Sequence, residues 1–132
     1  MKRSEAREAA FLLVFEKSFS EEALAEIIDA AGEARDMRLN TFAQSLAEGA
    51  VSHQEEIDTL ISAHAHNWQV SRLTKVSLAV LRVAVYELLY GEGTPEAVAI
   101  NEAVELAKKY AGEEEAVFVN GVLGGVAREH EA

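Results

Sequence analysis

Apolar residues recur at intervals of three and four along the chain, and no stretch alternates as a half-buried strand would. The pattern therefore predicts an all-α fold. A first helix is expected to run from Ser4, its cap, to about Phe15. A second is expected to start at Ser20, where acidic residues follow in the first turn, and to end at Gly32.

Two longer apolar patterns follow. The first runs from Leu39 to Ile61 with Gly49 inside it, and it predicts either one long helix or two. The second, residues 68–90, is the most hydrophobic segment and leaves little polar face. A helix that is apolar nearly all round is usually the buried centre of a bundle, so we expect the other helices to pack around it.

The last third of the chain predicts two more helices. Thr94 is suited to cap the first of them, with Pro95 at the first helical position and Gly112 after the last turn. A final helix is expected over residues 113–128. Together these elements predict a compact bundle of six to seven helices, and the length of 132 residues predicts one domain over residues 1–132.

Composition indicates where such a domain works. The chain has no cysteine, which excludes disulfides and thiolate metal sites and fits a reducing cytoplasm. The first residues, MKRSEAREAAF, lack the apolar core of a signal peptide, and no apolar run approaches the ~20 residues that span a bilayer. We therefore expect a cytoplasmic protein without a membrane partner.

The formal net charge of −11 favours a basic protein partner. Taken alone it argues against nucleic acid, because phosphate contacts need lysine and arginine. The basic residues are nevertheless grouped, so an acidic chain can still present a local basic face. The groups are Lys2, Arg3 and Arg7; Arg72, Lys75 and Arg82; and Lys108 with Lys109.

No arrangement of residues predicts catalysis. The histidines, His53, His64, His66 and His130, lack the spacing of a metal site, and no glycine-rich loop follows a strand. The acidic run 113–115 is explained by a helix start, where the helix dipole favours negative charge. We expect no enzymatic activity, no cofactor and no metal.

One arginine lies within the most hydrophobic segment. Arg82 stands among apolar neighbours, and a buried guanidinium needs partners. Glu87 or Glu102 could supply the partner in an internal ion pair. The alternative is that Arg82 takes part in an interface.

Two amides and a glycine lie inside the last two helical patterns. Asn101 could cap a helix or tie the turn before it to a neighbour. Asn120 beside Gly121 suggests the close approach of another helix, because glycine costs ~1 kcal/mol of helix propensity relative to alanine. The aromatic residues Tyr110 and Phe118, near helix ends, are more often core than ligand-stacking residues.

The segments AINEAVELAKKY and FVNGVL, preceded by VLRVAVYELLY and a proline, resemble the NusB transcription antitermination factor family. The opening RSEAREAAFLLVF is similar to the first helix of that family. The resemblance covers essentially the whole chain, although residues 18–66 share only the helical pattern.

The resemblance implies an all-helical protein of two packed sub-bundles that is not an enzyme. Members of the family bind the boxA element of nascent ribosomal RNA operon transcripts together with the ribosomal protein called NusE in this role. The complex helps RNA polymerase to resist termination. The implied partners are therefore boxA RNA, NusE and the RNA polymerase elongation complex.

The resemblance also implies RNA-binding residues. The basic first helix of the family matches Lys2, Arg3 and Arg7, which would meet phosphates, and its closing aromatic residue is Phe15 here. We expect these cations to share one connected surface with Phe118, which could stack on an unpaired base.

Three further positions complete the implied site. Lys75 and Ser77 match the face where the family meets RNA and its partner, and Glu114 matches another part close to RNA. By the same resemblance Asn101 and Asn120 would define the fold, holding the last helices in register beside the binding surface.

The chain departs from the family in its charge. Glu5 and Glu8 interrupt the basic first helix, and the residue before Phe118, often basic in the family, is Val117. We therefore expect weak, salt-sensitive RNA affinity for the protein alone, with a basic partner supplying positive charge.

Two other interpretations remain. The chain could be a protein-interaction module of the transcription machinery without RNA contact, which predicts NusE binding that RNA does not enhance. An exposed stripe on helices rich in leucine and valine would also allow two copies to form a homodimer.

Overall fold

The computed structural model describes residues 2–34, 41–65 and 73–131, with side chains in the first range described as far as residue 31. The expectations for Leu39, His66 and residues 68–72 lie outside the described residues. Within these ranges the chain forms seven α-helices and no strand, and none of these helices is long and apolar enough to cross a membrane. The helices are α1 (Arg3–Lys17), α2 (Leu24–Ala34), α3 (Thr41–Ser52), α4 (Gln54–His64), α5 (Lys75–Tyr90), α6 (Glu96–Tyr110) and α7 (Glu113–Glu131).

The helices form two sub-bundles that share α5. Helix α1 packs against α2 and α3, while α5 packs against α4, α6 and α7, and α7 also packs against α4 and α6. Helix α5 also contacts α1 and α3. Its side chains Ala79, Val80, Leu81 and Val85 are almost fully buried, and burying each Val or Leu contributes ~1.5–3 kcal/mol. The predicted all-α fold is confirmed, and so is the prediction that the other helices pack around the most hydrophobic segment.

The pattern that predicted one helix or two forms two helices, α3 and α4, which meet at His53. Gly49 in α3 lies directly under the aromatic ring of Tyr86 on α5. A side chain at Gly49 would occupy the same space as that ring. Glycine at this position therefore lets α3 and α5 approach closely.

One predicted helix end is confirmed. Gly112 follows α6 with a positive φ of 105°. Its backbone N–H donates to the carbonyl oxygen of Ala107 at 2.9 Å, which is the bonding of a glycine that ends a helix.

Other predicted helix boundaries are wrong. Ser4 lies inside α1, since Lys2 is the residue before the helix, and Gly32 lies inside α2. The hydroxyl of Ser20 accepts a backbone N–H of the turn, but α2 begins only at Leu24. Pro95 precedes α6 rather than opening it, and no side chain caps this helix, so Thr94 does not act as its cap.

Arg82 forms an internal ion pair, as expected, but its partner is Asp58 of α4. The Arg82 Nε and Nη2 atoms donate to the two carboxylate oxygens of Asp58 at 2.9 Å each. This bidentate ion pair joins α4 to α5. The predicted partners Glu87 and Glu102 are wrong for Arg82, because both carboxylates face α1 instead.

Candidate nucleic-acid interface

The start of α1 presents two exposed cations. Lys2 precedes the helix and Arg3 opens it. The guanidinium of Arg3 lies 3.7 Å from the centroid of the Phe42 ring on α3, a cation–π contact that fixes its position. The positive end of the helix dipole lies at the same place, so this end of the molecule is suited to a phosphate group.

Arg7, predicted to contact phosphates, is buried, with 5% of its surface exposed. Its Nε and Nη2 atoms donate to the carboxylate of Glu87 at 2.8 and 2.7 Å, and Nη1 lies 3.8 Å from Glu102. The hydrogen bonds to Glu87 raise the pKa of Arg7, so its charge is held within the fold. This placement is a correction: Arg7 is buried and its guanidinium bonds Glu87, so it does not stand on the surface as a phosphate contact would.

The other end of α1 is aromatic. Phe15 is half-buried, and Phe19, in the turn after the helix, is 63% exposed with its ring edge-on to Phe15 at 5.0 Å. The Lys75 ammonium lies 4.6 Å from the Phe19 ring centroid and donates to the carbonyl oxygen of Ser18 at 2.9 Å. An exposed ring beside a cation is the combination that unpaired bases and their phosphates need.

Ser77, predicted to face RNA, is fully buried. Its hydroxyl donates to Glu115 of α7 at 2.7 Å, and Thr74, whose side chain caps α5, donates to the same oxygen at 2.6 Å. This is a second correction. Ser77 joins the starts of α5 and α7 and cannot reach RNA itself.

The first turns of α7 carry the remaining predicted residues. Glu114 is exposed, as a contact residue must be. Phe118 is half-buried and packs against the hydrophobic core, so only part of its ring reaches the surface. Val117 beside it is 73% exposed.

The predicted residues that are exposed or half-buried therefore lie in three places rather than one cluster: Lys2 and Arg3 at the start of α1, Phe15 and Lys75 at its other end, and Glu114 and Phe118 on α7. Arg3 and Phe15 stand at opposite ends of α1, about 18 Å apart along the helix axis. Between them, Lys109 and Tyr110 of α6 both donate to one carboxylate oxygen of Glu8 at 2.7 Å. Lys109 is largely exposed, so it is the cation that lies between the two ends.

Three residues near these places were missing from the prediction: Phe19, Lys109 and Glu115. Phe19 had a signal in the sequence, because a large aromatic residue follows a helix within the polar stretch EKSFSEE. Lys109 had only the basic pair with Lys108 as a signal, and Glu115 only the acidic run 113–115, because their contacts depend on how α6 and α7 cross α1 and α5.

Only some of the residues predicted to define the fold make contacts between helices. Arg82 and Glu102 form ion pairs. Asn101 and Asn120 are exposed on α6 and α7, and neither amide has a hydrogen-bond partner among the described residues. A Cβ atom at Gly121 would meet nothing within 4 Å. The expected close helix approach at Asn120 and Gly121 is therefore wrong.

The described ranges contain no group of three or more His, Asp or Glu side chains placed to hold a metal ion. Between helices, carboxylates such as Glu8, Asp58, Glu87 and Glu115 bond cations or hydroxyl groups. What the surface offers is a cationic helix end, an aromatic and cationic helix end, and acidic residues around both.

Comparisons with known proteins agree with this architecture. A family model described as NusB family matches residues 4–128. The transcription antitermination protein NusB of Myxococcus xanthus (strain DK1622) is 42% identical over 127 residues, which are 95% of this chain and 91% of that protein.

Solved structures agree as well. T. maritima NusB has a TM-score of 0.86 and 34% identity, covering 100% of this chain and 94% of that chain. A crystal structure of the antitermination factors NusB and NusE in complex with dsRNA has a TM-score of 0.86 and 32% identity, covering 96% of each chain. The fold is thus shared with these solved NusB structures. The chain belongs to the NusB family, and the resemblance seen in its sequence is confirmed.

Proposed function

We propose that this protein is a transcription antitermination factor that binds the boxA element of ribosomal RNA operon transcripts together with NusE. The observation that carries the proposal is the likeness of nearly the whole chain to a NusB solved with NusE and double-stranded RNA. The protein acts in the cytoplasm without a cofactor or catalytic step, and its complex joins the RNA polymerase elongation complex.

The RNA surface on this chain runs along α1. Lys2 and Arg3 receive phosphates at its start, and Phe15 and Lys75 lie at its other end. Lys109, between them, is a further phosphate contact. Arg7 and Ser77 support this surface from within the fold and do not contact RNA.

A second set of contacts lies on α7. The exposed part of Phe118 stacks on an unpaired base, a contact that tolerates many sequences because every base has a flat face. Glu114 lies one turn earlier, where its carboxylate can accept a hydrogen bond from a base amino group.

Charge explains why a partner is needed. The chain carries a net charge of −11, and its exposed cations at the start of α1 are only Lys2 and Arg3. RNA alone therefore binds weakly and loses affinity quickly as salt rises. A basic companion such as NusE supplies charge and is itself attracted to the acidic surface.

The test is fluorescence anisotropy with labelled boxA RNA and a scrambled control, with and without NusE. The double variant Lys2→Ala/Arg3→Ala should bind boxA several-fold more weakly and show a salt slope lower by about 1.4, or about 0.7 per phosphate contact. Lys108→Ala, an exposed lysine on α6, is the matched control and should change neither quantity. Equal binding of boxA and scrambled RNA would contradict the proposal.

A second candidate function is a protein-interaction module without RNA contact, which the acidic charge and the burial of Arg7 favour. It predicts that NusE binds wild-type protein and the Lys2→Ala/Arg3→Ala variant equally. It also predicts that boxA RNA does not change the affinity for NusE.

A further inference from the structure

A shallow cleft of ≈ 410 Å³ lies between α6 and α7. Asn101 and Val104 stand on one wall, and Val117 and Asn120 on the other. Both asparagine amides are exposed and have no hydrogen-bond partner among the described residues. The cleft therefore offers two donor groups and two acceptor groups that the fold itself does not use.

The described residues give the Asn101 and Asn120 side chains no hydrogen-bond partner and bring nothing close to Gly121. Asparagine and glycine are poor helix formers, yet Asn101, Asn120 and Gly121 lie within helices and face solvent. At Gly121 there is open space for a side chain, so neither packing nor backbone geometry explains the glycine. The approach of a binding partner to this face would explain why Asn101, Asn120 and Gly121 stand there.

The chemistry of the cleft matches a polypeptide main chain. A side-chain amide has the same donor and acceptor as a peptide group, so it can bond an extended segment at both its N–H and its C=O. Val117 is 73% exposed, and Val104 on the opposite wall of the cleft is half-buried. These apolar surfaces would cover the alternate side chains of such a segment.

Two other occupants fit less well. RNA needs several cations, but Lys108 is the only cation among the described residues that line the cleft, and Glu113 lies opposite it on α7. A second copy of the chain would repel the first through its own charge of −11. The seven lining residues are also far fewer than the roughly 20–30 per side of a stable folded interface.

We infer that this cleft binds a short, extended, basic segment of a partner protein, recognised mainly through its main chain. The net charge of the domain attracts the basic side chains, while Asn101 and Asn120 bond the backbone and the valines pack on it. The cleft adjoins the proposed RNA contacts on α7, since Val117 precedes Phe118, but peptide binding in it does not depend on RNA binding.

The test uses ¹⁵N-labelled protein and a capped peptide of alternating lysine and valine. We expect saturable shifts of the Asn101 and Asn120 side-chain NH₂ signals. The double variant Asn101→Leu/Asn120→Leu keeps the side-chain size and favours the helix, and it should bind about tenfold more weakly or worse. Gln44→Leu, which removes an exposed amide from α3, is the matched control and should bind as wild type.

Four results would overturn the inference. The first is that the lysine–valine peptide does not saturate the shifts. The second and third are that a glutamate–valine peptide, or a backbone N-methylated lysine–valine peptide, binds as tightly as the lysine–valine peptide. The fourth is that a uridine-rich RNA hexamer causes stronger shifts than the peptide. Sedimentation of the protein at several concentrations tests whether a second copy of the chain occupies the cleft.

If wild-type protein forms a dimer and the Asn101→Leu/Asn120→Leu variant does not, the cleft binds a second copy and the inference is overturned. None of these measurements uses boxA RNA, so a protein that failed to bind boxA would still give the peptide results expected here.

Discussion

Arg7 of α1 and Glu87 of α5 form a buried ion pair with two hydrogen bonds, of 2.8 and 2.7 Å, between residues 80 positions apart. The pair joins the amino-terminal helix to the central helix of the bundle. Lys2 and Arg3 stand just before Arg7 on α1, so the same pair fixes where these exposed cations lie. We therefore expect Arg7 to affect RNA binding only through the position of α1.

Breaking this pair should cost stability. Glu87→Gln removes the two charged hydrogen bonds of the buried Arg7 guanidinium and leaves it only the Glu102 carboxylate at 3.8 Å, and breaking a buried pair typically costs about 3–5 kcal/mol. Urea unfolding followed by circular dichroism measures the loss. The double variant Arg7→Met/Glu87→Met removes both charges and should recover most of it.

The same variants test whether Arg7 touches RNA. The Arg7→Met/Glu87→Met protein, once shown to be folded, should bind boxA RNA about as well as wild type. If it is stable yet binds RNA as weakly as a Lys2→Ala/Arg3→Ala variant, then Arg7 contacts the phosphates after all.

Replacing each of two helical glycines by alanine should change the stability of the fold in opposite directions. Gly121→Ala meets open space and gains helix propensity, so we expect about 1 kcal/mol more stability. Gly49→Ala places a methyl group where the Tyr86 ring lies, so α3 and α5 must move apart at a cost of about 1–3 kcal/mol or more. Thermal unfolding of the two variants beside wild type decides this, and a destabilised Gly121→Ala protein would show a contact that the structure lacks.

Glu8 should contribute to the acid sensitivity of the fold. Hydrogen bonds from Lys109 and Tyr110 lower its pKa below the ordinary value of 4.5. Its stabilising contribution is therefore complete above pH 4.5 and is lost as the pH falls through the lower pKa of the folded state. Glu8→Gln should flatten the fall in unfolding free energy below pH 4.5 and leave the slope near pH 7 unchanged. Identical acid slopes would show that Glu8 is not bonded in solution.

Val117 offers a gain-of-function test of the RNA surface on α7. Val117→Lys places an exposed cation next to Phe118, where one more phosphate contact should strengthen boxA binding several-fold and steepen the salt slope by about 0.7. Val98→Lys, an equally small change on α6, is the control for net charge alone. If the two variants behave alike, the surface near Phe118 has no special place in RNA binding.

The helices could be predicted because their signals are local. The period of apolar residues is contained in each segment, and so are the helix-ending Gly112 and the composition of α5. The partners of buried charges are not local. Arg7 and Arg82 both stand in apolar patterns, and only the crossing of α1, α4 and α5 decides that one meets Glu87 and the other Asp58.

The candidate site was harder to predict for the same reason. The sequence pattern of an amphipathic helix does not distinguish a basic residue whose side chain faces solvent, such as Arg3, from one whose side chain is buried, such as Arg7. An asparagine next to a glycine indicates close approach, but the pattern does not say whether another helix of the same chain or an outside partner approaches. At Asn120 and Gly121 no other part of the described chain does so.

The most direct measurement of the central claim is the coupling between the two proposed partners. The dissociation constant for boxA RNA is measured with and without saturating NusE, and that for NusE with and without boxA. We predict that each partner tightens the other by the same factor, in the range of about 5–150-fold that is usual for linked sites. A factor of one, with NusE binding intact, would contradict RNA binding and support the protein-interaction module instead.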